Sequence, residues 1–305
     1  MIMLSICIPI YNYDVRPLVT ALDKQAKAEA ITVEIILIDD ASEPSFQEMN
    51  NKLQDLQSVD YIQLEENIGR SKIRNVLHKR ARYSFLLFLD CDSEVSDSKF
   101  LHRYIPFIKK EEQILVYGGR SYHSDPPNDQ TLLHWHFGSH REAKNARTRS
   151  KKPYQSFMSN NFLVHKSVLD KIPFNETLRG YGHEDTLLGY ELKKQGIPLI
   201  HIDNPLIHAG LQTAEEFLGK TDDGLKNLLI IDRLLHHDKD FIRSIKVLKC
   251  YFFLKKLFLR KPFVILFKPF EKPIRNNLLG KRPKLWLLDI YKLGKLCRLT
   301  VNSEQ

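Results

Sequence analysis

Two carboxylates, Asp90 and Asp92, stand one residue apart directly after the apolar run of residues 83–89. Alternate positions at a strand end carry both side chains toward the same mouth of a sheet. One or two carboxylates, with the rest of an octahedron left to phosphate and water, suit Mg2+ or Mn2+ holding a diphosphate. A pair of loop acids capping the next helix is the plainer reading of so short a pattern; its place at the end of a hydrophobic run favours the metal. Asp39-Asp40 closes a second apolar run and is either a helix cap or a carboxylate that accepts a hydrogen bond from a base N–H or a ribose hydroxyl. Arg70 and Arg74 lie one helical turn apart and could face a diphosphate, though solvated surface arginines have the same spacing. Glu184-Asp185 opens a helix, where the dipole favours acids; one of the two is also suited to deprotonate an acceptor hydroxyl. His208 follows Pro205-Leu206-Ile207 just past the last predicted strand and is either structural or the imidazole that completes a metal site begun by Asp92.

The elements that must position these residues are legible as continuous apolar runs. Residues 3–10, 32–38 and 83–89 read as buried strands, with helices predicted over 17–29, 44–57 and from about 69 to 81, and shorter strands over 59–64, 114–117 and 199–202. Strands that are apolar throughout and alternate with helices predict a mainly parallel, Rossmann-like α/β sheet flanked by helices. In such sheets the loops beyond the strand C-termini converge on one crevice, so the acids at 39–40 and 90–92 share an edge. Residues 121–156 lose periodicity and carry His134, His136, His140 and a basic run from Arg141 to Lys152, which predicts a long functional loop or lid. Thr213 and Glu216 form a capping box for a helix through Leu218.

Composition narrows the class. The 305 residues are 43% hydrophobic and 27% charged, with 13 Gly and 14 Pro, so the chain buries a sizeable core and is neither disordered nor collagen-like. Cys7, Cys91, Cys250 and Cys297 show no paired spacing, which argues against a zinc knuckle or a disulfide framework. No basic stretch precedes the first apolar run at Ile2, so no secretory signal is expected and the reducing cytoplasm is the expected compartment. No run approaches the roughly 18 apolar residues that span a bilayer. The net charge of +9 is unevenly spread: residues 241–305 hold 16 basic and 3 acidic residues, and residues 1–240 hold 30 and 34. That asymmetry points to an anionic partner surface.

Taken in order, SICIPIYN, LIDDAS, ENIGRSKIRN, FLDCDSEV, SNNFLVHKSVL and FNETLRGYGHEDTLLGYELKKQG resemble the motif series of glycosyltransferase family 2 over about residues 3–210. The resemblance implies a GT-A fold and an inverting, metal-dependent transfer from a nucleotide-diphosphate sugar, with a UDP-sugar the expected donor and Mn2+ or Mg2+ the expected cofactor. It places Pro9 and Tyr11 around the nucleobase, Asp40 on the base, and Asn67 and Arg74 near the nucleotide. Asp90 would contact ribose, or metal through water, and Asp92 would be the main metal ligand. Asp185 would be the catalytic base, with Glu184 orienting the acceptor, and His208 matches a histidine that ligates metal in some members. Where many relatives have a tryptophan and glycines before the E-D pair, this chain has Tyr181-Gly182-His183, which alters the acceptor-side stacking surface.

These readings divide the chain into a GT-A domain over 1–240 and a basic, aromatic-rich helical segment over 241–305. Ile242, Ile245, Leu248 and Phe252 share a helical face, flanked by lysines that can snorkel at the interface of an anionic bilayer; a helical subdomain packed on the core with a solvated basic face is the plain alternative. Clusters as apolar as YFFLKKLFL are not what phosphate contact requires, so nucleic acid is not the expected partner. The expected function is a hexosyl- or N-acetylhexosaminyltransferase of surface polysaccharide synthesis (capsule, O-antigen or exopolysaccharide), extending a glycan acceptor, free or lipid-linked, from a peripheral position on the inner face of the cell membrane. The alternatives are a nucleotidyltransferase, or a noncatalytic module that binds a sugar nucleotide.

Overall fold

The strands are buried on both faces because successive side chains serve two different cores. In β1 (Met3–Ile10), Leu4, Ile6, Ile8 and Ile10 enter one core and Cys7 the other; in β2 (Thr32–Asp39), Ile35 and Leu37 alternate in the same way with Ile36 and Ile38. β4 (Phe85–Leu89) divides as Phe85, Leu87 and Leu89 against Leu86 and Phe88. The period of two, applied to an unbroken apolar run, produces a sheet covered on both sides.

The computed structural model describes residues 2–110, 112–126, 128–178 and 180–302. Seven strands form the main sheet in the order β3-β2-β1-β4-β8-β6-β9, where β3 is Val59–Gln63, β6 Leu115–Tyr117, β8 Asn161–His165 and β9 Leu199–His201. β1 runs parallel to β2 and β4, β2 to β3, and β6 to β9; β8 lies antiparallel between β4 and β6. A second sheet has the order β5-β10-β7, from Ser93–Val95, Leu206–His208 and Arg120–Ser121. The helices in chain order are α1 (Arg16–Ala28), α2 (Pro44–Asn51), α3 (Arg70–Arg80), α4 (Ile105–Ile108), α5 (Leu132–Phe137), α6 (Ala146–Arg149), α7 (Lys166–Lys171), α8 (Glu184–Lys194), α9 (Ala214–Leu234), α10 (Lys239–Ser244), α11 (Lys246–Lys256), α12 (Arg260–Leu278) and α13 (Leu285–Asn302).

These elements fall into two units, one drawn from Met1–His123, Glu142–Arg179 and Glu184–Gly210, the other from Ser124–Arg141, Gly180–His183 and Leu211–Gln305. The first holds both sheets. In the second, α9 begins at the capping box of Thr213 and Glu216 and runs to Leu234, well beyond the short helix predicted there. Its core joins Leu133, Leu218, Phe267, Ile274, Leu278 and Tyr291, from α5, α9, α12 and α13. A Cβ on Gly294 would stand 2.6 Å from the Phe267 ring, so α13 meets α12 at a position only glycine allows.

The segment 121–156, expected to be a long functional loop or lid, holds more regular structure than predicted. It contributes α5, α6 and the end of β7, and Arg149 of its basic run is buried: its guanidinium donates to the carbonyls of Gly118 and Ile202, at 3.2 and 2.7 Å, and stacks 4.7 Å from the centroid of Tyr117. The periodicity is lost because polar side chains carry the order here, through capping and backbone contacts, in pieces too short to show a repeat.

Candidate functional site

The candidate base, nucleotide and metal residues belong to the first unit, and Tyr181-Gly182-His183 to the second. Asp90 follows β4, and two arginines close on it. Its Oδ1 accepts a 2.8 Å hydrogen bond from Arg74 Nη2 and its Oδ2 one of 3.3 Å from Arg120 Nη2, while Arg70 Nη2 stands 4.0 Å away. Arg74 is only 2% exposed and also donates to the Arg70 carbonyl. A guanidinium at that depth persists because charge partners and hydrogen bonds compensate its desolvation.

On the other side of the arginines, Arg70 Nε donates 2.7 Å to Glu184 Oε1, and Arg74 Nη1 lies 3.8 Å from the same oxygen. Burial alone would raise the Glu184 carboxyl; Arg70 and then Arg74 outweigh it and hold the group down to about 2. The adjacent Asp185 is driven the opposite way, pushed up to about 6 by burial and then by the Glu184 charge, against a 2.6 Å hydrogen bond from the Thr186 backbone N–H. Two neighbouring carboxylates on one helix start are thereby separated in proton affinity by their surroundings.

Asp92 lies with its Oδ1 3.3 Å from His208 Nδ1. The sheet register fixes this approach: β10 pairs antiparallel with β5 so that His208 stands opposite Ser93, and the Ala209 N–H donates to the Asp92 carbonyl. His208 is therefore inside a strand rather than beyond the last one, in a strand of three residues that no alternation could reveal. Burial would raise the Asp92 carboxyl, but His208, Arg120 and Arg70 prevail and hold it well below the usual carboxylate range. A Cβ on Gly210 would sit 2.4 Å from Asp92 Oδ2, so glycine there leaves the carboxylate its place.

The base-side candidates form a second cluster. Asp40 accepts from the N–H groups of Ile68 (2.7 Å) and Gly69 (3.1 Å), while Asn67 Nδ2 donates to its carbonyl at 3.2 Å. Burial raises the Asp40 carboxyl. Each of its oxygens keeps a second lone pair for a further donor. Pro9 is half-buried opposite Ile38, and Tyr11 is exposed at the end of β1. In the loop after Tyr11, burial and then the Asp92 charge push the Tyr13 hydroxyl up to about 12.

Arg120, Tyr122 and Glu142 were not singled out in the sequence. Arg120 Nη1 donates to Glu142 Oε2 at 3.3 Å and the Tyr122 hydroxyl to the same oxygen at 2.5 Å, so Arg120 bridges Asp90 and Glu142. The only signal was Gly118-Gly119 followed by Arg-Ser-Tyr, a strand start too short to stand out.

Among the described residues no group of three or more His, Cys, Asp or Glu side chains is placed to hold a metal ion by itself. The donor chemistry of Asp92 and His208, one oxygen and one nitrogen side by side, fits a divalent ion whose remaining ligands come from phosphate and water. Asp90, with both oxygens on arginines, could join such an ion through water.

A family model, "Glycosyl transferase family 2", matches residues 5–173. The chain belongs to glycosyl transferase family 2. A curated relative, chondroitin synthase of Escherichia coli, is 22% identical over 227 residues, covering 63% of this chain and 32% of that protein, so the chain spans about a third of its relative's length. Among solved structures, the mannosyltransferase PcManGT from Pyrobaculum calidifontis, in complex with GDP-Man and Mn2+, aligns over 99% of this chain and 88% of its own with a TM-score of 0.60 at 10% identity. S. aureus TarS 1–349 aligns over 100% and 92% with a TM-score of 0.53 at 18% identity, and has also been solved in complex with UDP. At these identities the structural likeness speaks for the fold, which is the GT-A architecture of the family.

Proposed function

We propose that the protein transfers a hexosyl or N-acetylhexosaminyl group from a UDP-sugar to a hydroxyl of a glycan acceptor, with inversion at the anomeric carbon, in the assembly of a surface polysaccharide. One observation carries this reading: of two adjacent carboxylates at the start of α8, Glu184 is fixed by a 2.7 Å hydrogen bond from Arg70 with Arg74 3.8 Å away, while burial and the Glu184 charge raise Asp185, the direction a general base near neutral pH requires. Asp185 takes the proton of the acceptor hydroxyl, and Glu184, fixed by Arg70, orients that hydroxyl. The alcohol oxygen attacks the anomeric carbon in line, and the nucleoside diphosphate leaves.

Pro9 and Tyr11 line the nucleobase, Asp40 reads it, and Asn67 holds the loop beside it. Arg70, Arg74 and Arg120, which here neutralise Asp90 and Glu184, offer a diphosphate guanidinium groups already in place, so little reorganisation opposes charge developing on the leaving group. Asp92 and His208 are the residues that would hold Mn2+ or Mg2+, with Asp90 reaching it through water or binding ribose. When bound, the ion supplies Lewis-acid neutralisation of the leaving diphosphate. The UDP donor is supported by the TarS complex with UDP, the metal by the Mn2+ of the mannosyltransferase, and the glycan acceptor by chondroitin synthase.

In this reading residues 1–240 are the catalytic region, and residues 241–305 attach the enzyme to the inner face of the cell membrane, where a lipid-linked glycan is extended. No helix is long and apolar enough among the described residues to cross a membrane. A panel of nucleotide sugars with Mn2+ tests the donor. The expected result is thermal stabilisation by one UDP-sugar and slow release of UDP that an acceptor glycan accelerates. Full turnover by Asp185→Asn would remove Asp185 from the role of base; stabilisation without turnover under every acceptor would leave a binding module.

A further inference from the structure

Helices α11 and α12 and the turn between them carry an apolar surface that faces solvent. α12 buries Phe267, Ile274 and Leu278 on one side, and on the opposite side Pro262, Ile265, Leu266, Pro269 and Pro273 recur at i, i+3, i+4, i+7 and i+11, all exposed. A helix packed on one side and bathed in water on the other has a polar outer face; this one is apolar outside as well, with Ile265 73% and Leu266 65% exposed. Phe253, Leu257, Leu259 and Phe270 are exposed beside it.

The turn adds an independent sign. α11 ends in a Schellman motif, with the Leu259 N–H bonded to the Leu254 carbonyl and the Phe258 N–H to that of Lys255. The residue at the left-handed position of that motif is Phe258, at φ +57, where glycine is favoured because a Cβ is strained. Phe258 gains no packing in return, since it is 89% exposed. A large aromatic that is both strained and bare is placed for something outside the chain.

The charge around the patch names the partner. Within residues 253–272 stand Lys255, Lys256, Arg260, Lys261, Lys268 and Lys272, against the single acid Glu271. Lys261, Lys268 and Lys272 repeat at i, i+7 and i+11 along one flank of the apolar stripe. Glu271 is turned away to Arg298 and Lys295, at 2.5 and 3.7 Å. Apolar anchors ringed by lysines match an anionic bilayer, whose acyl boundary takes the rings and whose headgroups take the ammonium groups.

We infer that the Leu257–Leu259 turn is the tip of a membrane-docking hairpin formed by α11 and α12, inserting Phe258 and the outer face of α12 into the interfacial layer of an anionic bilayer. This rests on the proposal that residues 241–305 attach the protein to a membrane, and names the residues that do so. The full chain is floated with vesicles of phosphatidylcholine and phosphatidylglycerol, and with phosphatidylcholine alone. Binding is expected to the anionic vesicles, at least tenfold weaker in 0.5 M salt, and at least tenfold weaker for Phe258→Ser/Leu266→Ser, whose circular dichroism and nucleotide-dependent thermal shift match the wild type. Unchanged flotation of that double variant, or equal binding to both vesicles, would overturn the inference. So would light scattering that shows a dimer abolished by the same substitutions, which would make a second copy the partner. Asp185→Asn floats like the wild type, so a failed catalytic assignment is told apart from a failed docking surface.

Discussion

The acid-lined edge of the sheet and the C-terminal helices both concentrate charge, and they dispose of it in opposite ways. At the sheet edge two of the acids are held by arginines, Asp90 by Arg74 and Arg120 and Glu184 by Arg70, at distances of 2.7–3.3 Å, and Asp92 stands against His208. In α11 and α12 the lysines are exposed next to bare apolar side chains, and the one acid among them is neutralised by α13. Internal pairing stores charge where it can act on a bound ligand at short range and low dielectric. Exposed charge of one sign acts on a surface, at a distance set by salt. The difference predicts that substitutions at the sheet edge change chemistry or stability sharply, and those in the helices change association.

The largest expected effect is at Asp185. Asp185→Asn should lower turnover by about 10²–10⁴-fold, the ordinary contribution of a general base, while leaving UDP-sugar affinity in place by calorimetry. The sign of the stability change separates this residue from a structural acid. Its carboxyl is raised from 3.8 to about 6, so the folded protein favours the protonated form and pays for the charged form above pH 6. The amide should therefore raise Tm at pH 7.5 and leave it nearly unchanged at pH 4. In the wild type, turnover should fall about tenfold per pH unit below about 6 as the base is protonated. A rate that is flat from pH 7 to 5 would contradict the assignment.

Arg74 comes next. Arg74→Ala leaves Asp90 with Arg120 as its only hydrogen-bonding arginine and weakens the hold on Glu184, and breaking a buried ion pair on one side costs up to about 3–5 kcal/mol. Urea unfolding should read that loss, whereas replacing Lys256 on the surface of α11 should fall within about 0.5 kcal/mol of wild type. Gly210→Ala should act at the metal. The added Cβ displaces the Asp92 carboxylate, and the Mn2+ needed for half-maximal activity should rise by roughly 10–100-fold, in the range seen for groups that orient metal ligands. Unchanged Mn2+ dependence would take Asp92 out of the site. The smallest effect is expected in the turn: Phe258→Gly should stabilise the protein by about 1 kcal/mol, since glycine relieves the left-handed strain, and should weaken vesicle binding at the same time. A stabilised variant that docks worse would show the tail giving up stability for association, the reverse of the balance at Arg74.

Most of the sheet was legible in advance because β1, β2 and β4 are apolar without interruption, and burial on both faces leaves no other explanation for such runs. The start of α8 was legible from Glu184-Asp185. The antiparallel β8 was not among the predicted strands, and pairing direction leaves no mark on a run of four buried residues and one half-buried. β7 and β10 are two and three residues long, below the length at which alternation shows, so the position of Arg120 and the strand under His208 emerged only when they paired with each other and with β5.

The residue types at the site, and the tail's excess of positive charge, were determined by the sequence alone, because chemistry and composition are local properties. The separation of Glu184 and Asp185 in proton affinity was decided by tertiary structure. The family resemblance assigns them different roles, but both are carboxylates at the start of one helix, and their environments differ only when Arg70 and Arg74, more than a hundred residues earlier in the chain, fold against Glu184 and leave Asp185 to burial. The same holds in the tail, where the pattern contained two candidate apolar faces on α12, and only packing against α13 decided which of them would remain in contact with water.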